Sequence, residues 1–319
     1  MSRERALQID GVVPILPTPF DRNEEPDFVG LKPLIDFAAA GGCSAVCLPA
    51  YASEFYKLSD EERIDVVRHA VLHSNGRIPV IGQANHPSAR QAARSARVLE
   101  AAGVDAIAVG VPRLFGVAER DIFRYFETIL SSIRVPLLIQ DFNPGGPTVT
   151  AQFVADLHRH YTHFAYIKLE EPLLASKIRA ILDATNGEVG VLEGWGGMYM
   201  LELIDAGICG VMPGLAVSDL LARVFRLARA GRKQAAYEIF AAVLPQILFS
   251  LQNMELFHHA EKRLLVRRGF MRESVVRDLT MTLDETDSAQ VEFLNEAILA
   301  LLEKLHMHPN PSSMAEPRA

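Results

Sequence analysis

The chain has 319 residues, 49% hydrophobic and 22% charged, with 32 Lys and Arg against 39 Asp and Glu for a net charge of −7. This is ordinary globular composition, and the length suits one α/β barrel of roughly 250 residues with an appendage as well as it suits two domains. Interspersed charges exclude a general field for nucleic acid. No stretch reaches the roughly 18 apolar residues of a membrane span, and the opening MSRERALQIDG lacks the apolar core of a signal peptide, so we expect a cytoplasmic protein with no membrane or nucleic-acid partner.

From the amino terminus, short runs rich in Val, Ile and Leu alternate with longer segments of helical period. The run at 12–16 precedes a helix at 28–40, 45–48 precedes 59–73, 79–82 precedes 88–102, and 106–110 precedes 120–133. The series continues with 136–140 before 151–161, 165–168 before 174–185, 189–193 before 198–206, and an eighth run at 210–212. Such alternation marks a parallel sheet with helical crossovers, and eight units is the count of a (β/α)8 TIM barrel. Ser59 with Glu62 forms a capping box, Ser88 follows Pro87 as an N-cap, and Gly41, Gly103, Gly187 and Gly207 close helices. Helical period then resumes at 219–230, 232–250, 257–268 and 288–306, which is too much for one crossover. We expect a barrel core over 1–218, the eighth barrel helix and a C-terminal helical extension beside the barrel over 219–307, and a disordered tail at 308–319. The basic stretch containing Lys262, Arg263, Arg267 and Arg268 reads as a solvated or interface face of one of these helices.

In a parallel barrel the active site lies at the C-terminal ends of the strands. Four places directly after apolar runs stand out: Pro17-Thr18-Pro19-Phe20, Tyr51-Ala52-Ser53-Glu54, Gln140-Asp141-Phe142-Asn143 and Lys168-Leu169-Glu170-Glu171. Lys168 ends an apolar run, where desolvation disfavours an ammonium and leaves an amine able to attack a carbonyl; the other reading is a lysine that snorkels to water. Asp141 reads either as a site residue or as a turn residue before Asn143-Pro144-Gly145-Gly146, and Glu171 as a dipole partner at a helix start. Cys43, Cys47 and Cys209 have neither disulfide nor zinc spacing, and the histidines show no metal-ligand spacing, so no metal is expected, and a lysine amine that attacks a carbonyl requires no cofactor.

From Gly11 to about Arg268 the chain resembles the dihydrodipicolinate synthase/N-acetylneuraminate lyase family of class I aldolases. The resemblance rests on Thr18-Pro19-Phe20, on Glu54-Phe55 through Glu61-Glu62-Arg63, on Ile167-Lys168, on Gly194 and on Gly210-Val211-Met212. It implies that Lys168 is the catalytic Schiff-base lysine, that the substrate is pyruvate or a 2-keto-3-deoxy sugar acid, and that the protein is a homo-oligomer, a dimer or a tetramer. It also implies a substrate-binding set of Ala52, Ser53, Asp141, Gly194 and Met212, with the carboxylate held by the 50–54 loop. The family's Gly-Thr-Thr-Gly-Glu reads Ala50-Tyr51-Ala52-Ser53-Glu54 here, so Ala52 brings no hydroxyl, and Tyr51 reads either as a phenol projected into the pocket or as an aromatic packed at the barrel rim. Gln140 stands where the family has its proton-relay tyrosine, and a glutamine cannot donate and reclaim a proton as a phenol does. Gln140 is then left to orient substrate or water, and proton transfer passes to Tyr51, Asp141 or Glu170. The second-carboxylate arginine of the synthases has no counterpart in Pro144-Gly145-Gly146-Pro147, and Arg113-Leu114 replaces their tyrosine pair, which argues against authentic dihydrodipicolinate synthesis. A rim salt bridge is the simple expectation for Arg113, and a barrel that binds a keto or sugar acid without turning it over is the rival reading.

Overall fold

The computed structural model describes residues 7–113, 115–143 and 146–308. Eight parallel strands, β1 (Gly11–Val12), β2 (Val46–Leu48), β3 (Val80–Gln83), β4 (Ala106–Gly110), β5 (Leu137–Phe142), β6 (Phe164–Glu170), β7 (Gly190–Glu193) and β8 (Gly210–Val211), pair in the order β1-β8-β7-β6-β5-β4-β3-β2. Main-chain bonds from Ser44 N to Val12 O (2.8 Å), Cys47 N to Pro14 O (3.0 Å) and Leu16 N to Cys47 O (3.0 Å) join β1 to β2 and close the ring. The fold is the expected (β/α)8 barrel. Its first strand is shorter than the 12–16 run suggests, because Pro14 has no N–H to pair and the segment continues only as single bridges from Ile15 to Cys47 and Gly214.

Side chains alternate across each strand, so one parity fills the barrel and the other meets the helices. Val13, Cys47, Ile81, Ala108, Leu138, Tyr166, Leu192 and Met212 form one buried inner cluster. The amino-terminal segment plugs the lower end. Leu7 and Ile9 join that cluster, and the Tyr166 hydroxyl donates to Leu7 O at 2.7 Å while accepting from Ile9 N at 3.2 Å. The same inward parity carries Gln83, Gln140, Lys168, Glu170 and Gly194 above the plug, at the strands' C-terminal ends.

The outer ring comprises α1 (Leu31–Ala40), α2 (Asp60–Ser74), α3 (Ala89–Ala101), α4 (Glu119–Leu130), α5 (Ala151–His160), α6 (Ala175–Ala184), α7 (Met200–Ile204) and α8 (Ser218–Arg229). The Ser59 capping box is present: its hydroxyl accepts from Glu62 N and its amide donates to the Glu62 carboxylate. α1 begins three residues later than its apolar period suggests, since the Asp27 carboxylate takes the amides of Val29 and Gly30 in a turn instead. α7 starts two residues later than its apolar period suggests, after a turn in which Gly196 and Gly197 adopt positive φ (65° and 86°).

The extension consists of α9 (Lys233–Ser250), α10 (Met254–Arg267) and α11 (Glu285–Lys304). Asn253 caps α10 and Asp284 caps α11, so both start three residues before their apolar period. The reading of α10's basic residues as a solvated face is overturned at two positions: Lys262 and Arg268 are fully buried. Arg268 is bonded to Asp219 (2.7 and 3.0 Å) and lies over the rings of Phe37 and Phe270, at 4.6 and 5.4 Å. No helix among the described residues is long and apolar enough to cross a membrane. Leu114, Pro144, Gly145 and the expected tail beyond residue 308 lie outside the described residues.

Candidate active site

Lys168 and Glu170 sit two residues apart on β6 and therefore on the same inner wall, and the register of β5 against β6 sets Gln140 beside Lys168. The Lys168 ammonium lies 3.0 Å from Glu170 Oε1. Gln140 Nε2 donates to the same oxygen at 2.8 Å, and Gln140 Oε1 accepts from Gln83 Nε2 at 2.9 Å. Amine, carboxylate and two amides thus form one chain across β6, β5 and β3, with Lys168, Glu170 and Gln140 all buried. Gly194 makes room for it. A Cβ there would lie 2.6 Å from Lys168 Cε and on Glu170 Cγ, so any other residue displaces both groups.

Gln140, Lys168, Glu170 and Gly194 line a chamber of about 370 Å³ together with Tyr51, Ala52, Trp195 and Met212. Leu251, Gln252, Asn253, Met254 and Phe257 complete its wall, so the helical extension does more than pack beside the barrel: the α9–α10 turn covers the mouth.

Residues 51–53 form a 3-10 turn at the end of β2. Ser53 N and Glu54 N are spent on Ala50 O and Tyr51 O, whereas the amides of Tyr51 and Ala52 donate to no acceptor among the described residues. Two adjacent free amides beside a lysine suit a carboxylate. The Ser53 hydroxyl does not serve this purpose, contrary to expectation. It is fully buried, donates to Leu16 O at 2.5 Å and accepts from Ala50 N at 2.9 Å, which fixes the turn to β1. Burial first, and the charge of Glu170 second, push the Tyr51 phenol above its usual range, so it is a hydrogen-bond donor at neutral pH.

Glu54, in the left-handed region at φ 60°, ties the turn to the extension. Its carboxylate binds Lys262 (2.5 Å) and Lys57 (3.1 Å) and accepts from Arg277 N (3.1 Å). Burial pushes the Lys262 amine down to about 8 against the pull of Glu54.

Asp141 is also corrected. It has the opposite parity to Gln140, is fully buried outside the chamber, pairs bidentately with Arg113 (2.8 and 2.6 Å) and accepts from Val149 N at 2.7 Å. It organises the β5 loop and explains Arg113. Glu171 has a structural role as well, bonded to Lys177 and Thr148 N at 2.5 Å.

Sequence reasoning passed over Glu193. This side chain at the end of β7 is fully buried, accepts from Trp195 N at 3.0 Å through Oε1, and has an unpartnered Oε2. Burial and then the neighbouring Glu170 push its carboxyl up to about 8, with Lys168 and the amides of Gly197 and Tyr199 pulling down. The signal available was an acid directly before a Gly-Trp-Gly-Gly turn.

Comparison with known proteins agrees with this architecture. Residues 8–298 match the Dihydrodipicolinate synthetase family. L-2-keto-3-deoxyarabonate dehydratase of Azospirillum brasilense is 31% identical over 270 residues, which is 83% of this chain and 85% of that protein. The structure of dihydrodipicolinate synthase from Rhodopseudomonas palustris has a TM-score of 0.84 at 24% identity, covering 93% of this chain and 100% of that one. YagE of Escherichia coli K12, solved in complex with pyruvate, has a TM-score of 0.81 at 23% identity and covers 93% and 99%. These two solved structures share the fold, and the match over nearly the whole sequence establishes the kinship: this chain belongs to the dihydrodipicolinate synthetase family.

Proposed function

We propose that this protein is a class I lyase that removes water from a 2-keto-3-deoxy sugar acid through an imine on Lys168. The observation that carries the proposal is the single carboxylate, Glu170, held between the Lys168 amine at 3.0 Å and the Gln140 amide at 2.8 Å. Glu170 takes a proton from the lysine, and the freed amine attacks the C2 carbonyl. The attacking nitrogen passes one of its protons to the C2 oxygen and Glu170 returns the other, so that oxygen leaves as water and an iminium remains. The carboxylate then removes a C3 proton, and the iminium accepts the electron pair as an enamine. The pair expels the C4 hydroxyl, which leaves as water with the proton that Glu170 carries, and hydrolysis of the imine frees Lys168. The free amides of Tyr51 and Ala52 hold the C1 carboxylate, the Tyr51 phenol donates to it or to a nearby hydroxyl, and Gln140 keeps Glu170 oriented.

Dehydration is favoured over aldol cleavage. The dehydratase of A. brasilense, similar over most of both chains, supports this choice. We infer further that the protein works in the cytoplasm as a homo-oligomer.

Pyruvate with sodium borohydride, followed by intact mass and peptide mapping, tests the imine. The expected result is one reduced adduct at Lys168 that is absent in Lys168→Ala; no adduct in the unsubstituted protein overturns the reading. Glu170→Gln is expected to slow formation of the pyruvate adduct and to lower kcat for a 2-keto-3-deoxy acid roughly 10²–10⁴-fold.

A further inference from the structure

A second chamber of about 470 Å³ adjoins the first across Tyr51, Gln140 and Phe142, which line both. It lies over the C-terminal ends of β3, β4 and β5. The strand register runs Lys168, Gln140, Gly110 in one row, so its floor at Gly110 is two strand spacings, roughly 10 Å, from the strand that carries the lysine. A carbon chain held as an imine on Lys168 can reach it past Gln140.

Besides the shared Tyr51 and Gln140, four polar side chains line this chamber. His86 Nδ1 accepts from Ser88 N at 2.9 Å, which fixes the neutral tautomer with a proton on Nε2, a donor with no protein acceptor among the described residues. Asn85 Oδ1 accepts from Gly110 N at 2.6 Å, and Asn85 Nδ2 is buried without a partner. Asn143 Nδ2 donates to Pro147 O at 2.7 Å, which leaves its Oδ1 as an acceptor. Arg113 spends Nε and one Nη on the Asp141 carboxylate, so its charge is neutralised within the wall. Among the described residues the chamber therefore offers both donors and acceptors but no uncompensated charge. A carboxylate entering it would lose its water without gaining a free cation. Hydroxyl groups, each donor and acceptor at once, match it.

We infer that this second chamber is the subsite for the distal, hydroxyl-bearing end of the substrate, and that it selects keto-deoxy acids with a neutral tail over those with a second carboxylate. The inference rests on the Lys168 imine reading for where the substrate begins. An orphaned buried polar group and a fixed tautomer are the features by which a site rejects a ligand that cannot pair with them.

The test compares L-2-keto-3-deoxyarabonate turnover with pyruvate trapping in the same proteins. Pyruvate has no tail, so half-saturating pyruvate in the borohydride assay reports the imine site alone. In Asn85→Asp, which keeps the acceptor for Gly110 N and puts a charge where Nδ2 stood, and in His86→Phe, kcat/KM for the keto-deoxy acid is expected to fall roughly tenfold or more, with half-saturating pyruvate little moved. The unsubstituted protein is expected to turn over an acid with a carboxylate at its far end roughly tenfold more slowly or worse. Equal loss in both assays, no loss in either variant, or equal turnover of the dicarboxylate overturns the subsite. Failure of the unsubstituted protein to trap pyruvate would instead overturn the imine reading on which the subsite rests.

Discussion

Lys168 and Glu193 are both buried ionisable residues at strand ends, and only one of them stood out in the sequence. Lys168 closes an apolar run, so its unusual position was visible. Glu193 closes one as well, but its burial depends on the 194–199 turn folding over it, and turn geometry has no periodicity to read. Ser53 and Asp141 were misplaced for related reasons: the 3-10 turn consumes the serine hydroxyl, and strand parity sends Asp141 away from Gln140. Parity could have warned of the second error, since Gln140 and Asp141 cannot both face the barrel. Glu193 also carries a pH prediction. Its folded pKa is raised to about 8 by burial, so between the ordinary carboxylate range and pH 8 the unfolded chain releases a proton that the folded chain keeps. Its contribution to stability is complete at low pH and is lost as pH rises through that window. Glu193→Gln is expected to flatten the fall in Tm between pH 5 and pH 8, and an unchanged slope in thermal melts would count against a protonated Glu193.

At the scale of elements, the barrel was legible and the extension only in part. All eight strands were anticipated because both faces of a parallel sheet are buried, which leaves unmistakable apolar runs. The solvated or interface face read for the basic stretch fails at Lys262 and Arg268 because charge in a sequence does not reveal its partner. Glu54 lies 208 residues from Lys262, and Asp219 lies 49 from Arg268. The Glu54–Lys262 pair joins the 51–58 turn, which presents the free amides, to the helix whose first turn walls the chamber. Lys262→Met leaves a buried carboxylate short of its closest cation and is expected to cost about 3 kcal/mol in denaturant unfolding. A loss within the usual surface range would mean that Lys57 and the Arg277 amide already suffice.

Over the whole molecule, these buried contacts leave the extension no independent existence. Arg268 is enclosed by α1 and α8 as well as by its own helix, and Glu261 accepts the Ala216 amide below the β8 loop at 2.7 Å. Burial pushes that carboxyl up to about 7, a further sign that α10 is enclosed by the barrel. Calorimetry is therefore expected to show one transition with equal calorimetric and van't Hoff enthalpies, and a separate low-temperature transition for the last three helices would refute this coupling.

The position of Trp195 has a practical consequence. It is the only tryptophan in 319 residues, and it lines the lysine chamber with its ring 5.8 Å from that of Phe142. All indole emission from this protein therefore originates at the chamber wall. A ligand arriving there alters the entire signal instead of a fraction of it, so occupancy, on-rates and the lifetime of a covalent adduct are readable by stopped-flow optics on unlabelled protein.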